Sequence, residues 1–171
     1  MPFPERKPTR LKGYDYSSPG AYFITICTHE KRCILSRIAV GEQLSAPETI
    51  LSPIGRLVDE QIRLLPCRFE SLAIDKYVIM PNHIHLLLRL SEPQESAETA
   101  GGASSSPTVV SVIQALKSQT ARLSHSALEI KPLWQRSFHD HIIRNETDYR
   151  EIWDYLDGNP ARWREDCFYS E

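Results

Sequence analysis

The sequence has few of the features that mark membrane or exported proteins. None of its apolar runs approaches the roughly 20 residues that a membrane-spanning helix needs. The N-terminal stretch MPFPERKPTRLKG is charged and rich in proline, and it lacks the apolar core of a secretory signal. We therefore expect a soluble protein of the cytoplasm, with no membrane among its partners.

Cysteine is scarce and is not arranged for disulfide or zinc chemistry. The chain has four cysteines, none of them in a Cys-x-x-Cys pair: Cys27, Cys33, Cys67 and Cys167. This spacing disfavours a disulfide-stabilised secreted fold and a zinc ribbon, and we expect reduced thiols.

A strong excess of charge of one sign is also missing. The formal net charge is −2, so the chain as a whole does not attract nucleic acid electrostatically. Basic residues nevertheless cluster at the N-terminus, where only Glu5 opposes them: Arg6, Lys7, Arg10 and Lys12. Two interpretations stay open, a solvated basic tail and an arm that contacts phosphates.

Internal repeats are absent, and one segment has a low-complexity composition. Residues 91–107 hold no large apolar side chain, so burial cannot offset the entropy lost on ordering them. We interpret residues 1–171 as a single domain with a basic N-terminal tail (1–13) and this flexible excursion (91–107). The part that follows the excursion looks too small to fold alone.

The rest of the chain reads as alternating strands and helices. Apolar, aromatic and β-branched runs predict strands over 21–29, 72–80, 83–90 and 138–143, with a short hairpin within 33–50. Capping residues followed by apolar stripes predict helices that begin at Ser52-Pro53, at Thr108 or Ser106, and at Asn145. This order predicts an α+β, ferredoxin-like (split βαβ) antiparallel sheet with an added C-terminal helix.

The run VIMPNHIHLLL places two histidines in an otherwise apolar strand. Side chains alternate along a strand, so one face is entirely apolar while the other carries His83, His85 and Arg89. We predict that the apolar face packs under helices and that the histidine face borders an opening. Two imidazoles about 7 Å apart along a strand can converge on a divalent cation, but a polar strand face that meets water explains the pattern too.

Spacing alone does not select this pair, because His139-Asp-His141 has the same spacing. The last helix offers a second observation. Tyr155 lies off its apolar stripe, and Asn159 follows four residues later on the same flank. Tyr149 lies on the stripe and is a poorer candidate for chemistry. A half-buried tyrosine on an amphipathic helix would account for Tyr155 equally well.

These motifs together resemble a known family. VIMPNHIHLLL resembles the HUH motif (His, hydrophobic, His) of single-tyrosine transposases of the insertion-sequence 200-like superfamily. LWQRSFHDHIIRNETDYREIWDYLDGNPARW resembles the C-terminal block of its REP-associated tyrosine transposase (RAYT) branch, and AYFITICTHEKRCIL and LSPIGRLVDEQI are similar to it as well. The resemblance spans roughly residues 10–163. The usual Tyr-Ile-x-x-Asn-Pro becomes Tyr-Leu-Asp-Gly-Asn-Pro here, with Gly158 in the last helical turn.

The resemblance implies a site and a reaction. His83 and His85 would ligate Mg²⁺ or Mn²⁺, Asn159 would be a third ligand, and Tyr155 would be the nucleophile. The substrate would be single-stranded DNA near a hairpin or palindrome, nicked and transferred through a 5′-phosphotyrosine. Further candidates for DNA contact are Lys117, His141 and Arg144, with structural roles as the alternative. The protein would be a monomer or a homodimer.

Two other functions fit the same residues. One is a hairpin-binding module that keeps the fold without catalysis and needs no metal. The other is a metal-dependent phosphodiesterase that releases free phosphate ends and forms no bond to DNA.

Overall fold

The computed structural model describes residues 13–39, 46–92 and 107–169. Its strands are β1 (Gly20–Cys27), β2 (Ser36–Ala39), β3 (Glu48–Leu51), β4 (Leu72–Ile79), β5 (His83–Leu90) and β6 (His139–Ile143). Its α-helices are α1 (Pro53–Arg68), α2 (Val109–Leu128) and α3 (Glu146–Gly158). Two 3-10 turns complete the list, His29–Lys31 and Pro160–Glu165. No described helix is long and apolar enough to cross a membrane.

Four of the strands form one antiparallel sheet in the order β4-β5-β1-β6. With α1 connecting β1 to β4 by way of the β2–β3 hairpin, and α2 connecting β5 to β6, this is the predicted split βαβ arrangement. The ferredoxin-like fold class is confirmed. The predicted hairpin is the separate two-stranded sheet of β2 and β3.

The predicted apolar face of β5 forms the core. Ile84, Leu86 and Leu88 are fully buried, and they belong to one hydrophobic cluster with the inner faces of β1, α1 and α2. Both helices begin where capping residues predict. Ser52 Oγ accepts a hydrogen bond from Gly55 N, and Thr108 forms a capping box with Ser111, which fixes the second helix start at Thr108.

Gly55 brings the start of α1 against the chain before β2. A Cβ placed on Gly55 would lie 2.0 Å from the carbonyl oxygen of Leu35. Ser52 Oγ also donates to the carbonyl oxygens of Ile34 and Leu35. The glycine therefore permits a contact between helix and backbone that no side chain would allow.

The prediction of an open histidine face is wrong. His83 is 0% exposed and His85 1% exposed, because α3 and the segment after it lie over this side of the sheet. Tyr155 of α3 packs on His85, and Phe168 packs on His83. Alternation correctly separated the two faces of β5, but it carries no information about a cover supplied by residues some eighty positions later.

Candidate metal and tyrosine site

The inner strand β5 brings two imidazoles together at its N-terminal end. The Nε2 atoms of His83 and His85 lie 3.0 Å apart, and their ring centroids are 4.5 Å apart. The strand lies between β4 and β1, so hydrogen bonds on both edges hold its backbone. The pair is therefore mounted on a rigid part of the fold.

The other nitrogen of each ring has its own partner. His83 Nδ1 lies 2.9 Å from Asn82 Oδ1, while the Asn82 amide group donates to the carbonyls of Lys31 and Phe168. The Asn82 oxygen thus accepts, so His83 carries its proton on Nδ1 and presents an Nε2 lone pair. His85 Nδ1 lies 2.8 Å from Thr25 Oγ1. Such outer partners fix the ring orientation of metal-binding histidines.

Both imidazoles are held neutral. Burial lowers the pKa of His83 to about 4, although the charge of Asp166 acts in the opposite direction. Burial and then the neighbouring His83 also lower the pKa of His85 well below its ordinary value. Neutral imidazole is the form that binds metal ions. The 3.9 Å approach of His83 Nε2 to Asp166 Oδ2 is therefore not an ion pair at neutral pH.

The Asp166 carboxylate lies beside the imidazoles, and the Asn159 amide contacts that carboxylate. His83, His85 and Asp166 each offer a ligand atom, and these atoms lie within 4.8 Å of one another. Asn159 Nδ2 donates to Asp166 Oδ2 at 3.1 Å. The Asn159 Oδ1 atom is buried and has no hydrogen-bond partner among the described residues. A buried amide oxygen without a donor is costly, and a cation would satisfy it.

The donor set fits a divalent cation. Octahedral ions with bonds of about 2.1 Å have neighbouring ligand atoms about 3.0 Å apart, the separation of the two Nε2 atoms. Two neutral nitrogens with amide and carboxylate oxygens suit Mn²⁺ on ligand type, and Mg²⁺ less well. No cysteine thiol belongs to this group of ligand atoms.

Tyr155 is the nucleophile candidate that the fold brings to the imidazoles. Its hydroxyl lies 3.3 Å from His85 Nε2. Burial, followed by the charges of Asp166 and Cys167, raises the pKa of Tyr155 to about 12, while its hydrogen bond with Asn159 acts the other way. Asn145 caps the helix that carries it by accepting from Asp148 N. Tyr155 and Asn159 thus share the flank that their spacing predicts.

Aromatic rings enclose the site. Phe23 of β1 stacks on His85 at 5.0 Å and meets the Tyr155 ring edge-on at 6.0 Å. Phe168 lies 4.7 Å from the His83 ring, and Trp163 lies 6.0 Å from it. The two imidazoles under these rings are buried, and a site without water strengthens the electrostatic interactions inside it.

Asp166, Trp163 and Phe168 were missed by sequence reasoning. They follow the end of α3, where Asn159-Pro160 predicts a break and nothing in the pattern gives the path of the chain. A carboxylate beside an aromatic residue in a C-terminal tail is too common to indicate a site. Only the reversal through the 3-10 turn Pro160–Glu165 shows that Asp166 returns to the histidines.

The other predicted contact residues lie outside this cluster. Lys117 donates to the backbone carbonyls of Gln135, Arg136 and Ser137, and burial lowers its pKa. His141 Nε2 contacts the Asp148 carboxylate, and Arg144 is exposed beside it with its backbone N–H donating to Asp148. Tyr149 donates to Asp75. These contacts give Lys117 and His141 structural partners, and their contact with DNA stays a prediction.

Four further candidates are not described by the structure. They are the basic N-terminal residues Arg6, Lys7, Arg10 and Lys12, which lie outside the described residues. Most of the predicted excursion 91–107 falls outside them as well.

Comparison with known proteins places the chain. No protein-family model matches it. An uncharacterised protein of Haemophilus influenzae is 33% identical over 173 residues, covering 96% of this chain and 93% of that protein. A REP-associated tyrosine transposase bound to a REP hairpin has a TM-score of 0.61 at 21% identity, covering 90% of this chain and 73% of that one.

A candidate transposase from Deinococcus radiodurans has a TM-score of 0.50 at 19% identity, covering 87% of this chain and 95% of that one. Both structures share the arrangement described above, so the resemblance is confirmed at the level of the fold. The chain belongs to one family with the Haemophilus influenzae protein, and its fold is that of the REP-associated tyrosine transposases.

Proposed function

We propose that the protein is a metal-dependent transposase that nicks single-stranded DNA near hairpins and transfers the cut strand through Tyr155. The observation that carries this proposal is the convergence of the Tyr155 hydroxyl, 3.3 Å from His85 Nε2, on the imidazole pair. The fold shared with a transposase bound to a REP hairpin supports the choice of substrate. Mg²⁺ or Mn²⁺ is the proposed cofactor.

His83 and His85 would hold the cation, with oxygen ligands from Asn159 and Asp166. A divalent ion bound there would withdraw charge from a phosphodiester and favour loss of the tyrosine proton. The chain supplies the positioning. Asn82 and Thr25 fix the two imidazoles through their Nδ1 atoms, and Phe23 fixes the tyrosine ring. Such placement accounts for much of the rate enhancement in group transfer.

The reaction conserves the phosphodiester bond. Tyr155 Oη loses its proton and forms a bond to phosphorus, and the bond from phosphorus to the 3′ oxygen breaks. The 3′ oxygen takes up a proton, which leaves a 5′-phosphotyrosine and a free 3′-OH. The 3′-OH of another strand can then attack the phosphotyrosine, which regenerates Tyr155 and joins the strands without ATP.

The test is formation of a covalent adduct. Hairpins built from palindromes that flank the gene, labelled on the 5′-phosphate side of the cut, are incubated with Mn²⁺ and separated in SDS. We expect a labelled protein band with wild type and with Tyr149→Phe, which changes a tyrosine of the same helix whose hydroxyl bonds Asp75. Tyr155→Phe should abolish the band. An adduct that persists in Tyr155→Phe would refute the assignment.

The two other functions give different products. A catalytically silent hairpin-binding module would bind the hairpin equally well in EDTA and after His83→Ala, and would never form an adduct. A phosphodiesterase would turn over repeatedly and release free 5′- or 3′-phosphate ends. Because His83 and His85 are buried under a cover, the hairpin-binding module is the second candidate function.

A further inference from the structure

A cavity of about 600 Å³ lies beside the site, on the outer side of the cover. Its walls are the turn before β5, the hairpin strand β2 and the 3-10 turn after α3. The side chains used below are Arg37, Arg162, Trp163, Arg164 and Tyr169. One indole separates this cavity from the metal ligands, since Trp163 both lines it and lies 6.0 Å from the His83 ring.

The cavity is strongly basic. Three arginines line it against a single carboxylate, Glu165. Arg37, Arg162 and Arg164 are exposed, and none of them forms an ion pair with any described carboxylate. Planar guanidinium groups without a carboxylate partner are suited to phosphate, which they bind in a bidentate manner.

The position of Arg162 depends on a glycine, Gly158. A Cβ on Gly158 would lie 2.7 Å from Arg162 Nη2, so the guanidinium rests directly against the last turn of α3. Because Gly158 has no side chain, it leaves room for the Arg162 guanidinium beside the last turn of α3.

The cavity also offers aromatic faces. Trp163 and Tyr169 lie 5.2 Å apart at 64°, and Tyr169 is 38% exposed. Exposed aromatic rings next to basic side chains are the arrangement by which proteins stack unpaired bases and hold the adjoining phosphates.

Two other cavities of the described chain lack this combination. A cavity of about 440 Å³ along α2 is basic, but its indole, Trp134, is 7% exposed and donates to Thr120. A third cavity beside Tyr149 and Trp153 carries the carboxylates of Glu146 and Asp154. Neither presents an exposed ring together with unpaired arginines.

We propose that the cavity between β2 and the C-terminal turn binds one unpaired nucleotide of single-stranded nucleic acid, with its base on Trp163 and Tyr169 and its phosphates on the arginines. The choice of nucleic acid rests on the proposed function. The binding itself needs neither metal nor Tyr155. A strand held there would pass Trp163 to reach the imidazoles, so the cavity would select and position the nucleotide next to the one that is cut.

The test measures binding without cleavage. Fluorescence anisotropy in EDTA, with full-length protein, compares an oligothymidylate of about 12 nucleotides with an abasic strand of the same length. One stacked base should make wild type bind the thymidylate at least about fivefold more tightly than the abasic strand. Trp163→Ala should remove this preference, and Trp163→Phe should retain part of it.

Matched variants separate the cavity from general effects. Trp153→Ala removes another partly exposed indole, on α3 under Lys76, and should keep the preference. Arg162→Gln with Arg164→Gln should weaken binding of both strands roughly tenfold and lower the slope of affinity against salt by about 1–2. Arg63→Gln with Arg150→Gln, two exposed arginines in helical ion pairs, should change neither. Circular dichroism confirms folding of each variant.

The outcomes are decisive in both directions. Equal binding of the two strands by wild type, or equal loss of preference in Trp153→Ala and Trp163→Ala, overturns the proposal. Tyr155→Phe should bind like wild type. If adduct formation fails while the preference depends on Trp163, the proposed reaction fails and the nucleotide site stands. If adducts form while Trp163→Ala keeps the preference, the nucleotide site fails alone.

Discussion

Two neutral imidazoles inside a closed sheet face make the stability of this protein depend on pH. Burial lowers the pKa of His83 to about 4, from 6.5 in a solvated histidine, and the pKa of His85 shifts in the same direction. Between these values the unfolded chain binds protons that the folded chain does not. The free energy of unfolding therefore rises with pH across this window. The contribution of the two histidines reaches its full value above about pH 6.5.

We expect the urea midpoint of the metal-free protein to fall as the pH is lowered from 7.5 to 5. Each buried histidine contributes up to about 1.4 kcal/mol per pH unit inside the window. His83→Gln should flatten the curve. His141→Gln changes an exposed histidine and should keep the part of this pH dependence that comes from His83. A profile equally steep in His83→Gln would show that other groups govern acid unfolding.

At the scale of elements, two glycines in helices should respond to alanine in opposite ways. A Cβ on Gly55 would meet a backbone carbonyl at 2.0 Å, whereas one on Gly158 would meet only the end of the Arg162 side chain. Gly55→Ala should lower the free energy of unfolding by about 2–3 kcal/mol, because α1 must move away from Leu35. Gly158→Ala should leave it unchanged or raise it by up to about 1 kcal/mol through helix propensity.

Urea unfolding of the two variants measures this difference. Similar destabilisation by both would contradict the packing described at Gly55. Gly158→Ala should also displace the Arg162 guanidinium, so its effect is expected in nucleotide binding and not in stability.

The elements themselves could be predicted because local rules determine them. Ser52 and Asn145 cap the helices that they precede, and the apolar alternation of β5 identifies its core face correctly. Tyr155 and Asn159 could be paired because a helix repeats every 3.6 residues. Asp166 and Phe168 could not be predicted, since their positions depend on a chain reversal after Pro160 that follows no periodic pattern.

The same limit explains the error about the open face. Alternation states which side chains share a side of a strand. It does not state what covers that side, because a cover is a long-range contact between β5 and residues near the C-terminus. The carboxylate that completes the group of ligand atoms lies in this cover, so one unpredictable segment accounts for both omissions.

At the scale of the whole molecule, metal binding should be visible as thermal stabilisation. A ligand at 100 times its dissociation constant stabilises the folded state by about 2.7 kcal/mol, which corresponds to a rise of roughly 5–10 °C in Tm for a domain of this size. We expect Mn²⁺ to raise Tm by this amount and EDTA to reverse it.

Variants identify the ligands in this measurement. His83→Gln should remove most of the shift and Asp166→Asn part of it, while His141→Gln, in the pair with the same spacing, should keep all of it. Equal shifts in His83→Gln and wild type would exclude the imidazole pair as the metal site.

The direction of β5 has a consequence for how this protein tolerates change. The strand begins at His83 and ends at Leu90, about 24 Å away at the usual rise per residue. Ser91 and Glu92 follow Leu90 and therefore lie at the end of β5 that is far from His83. We therefore expect a reporter domain inserted after Glu92 to leave the arrangement of His83, His85 and Tyr155 unchanged.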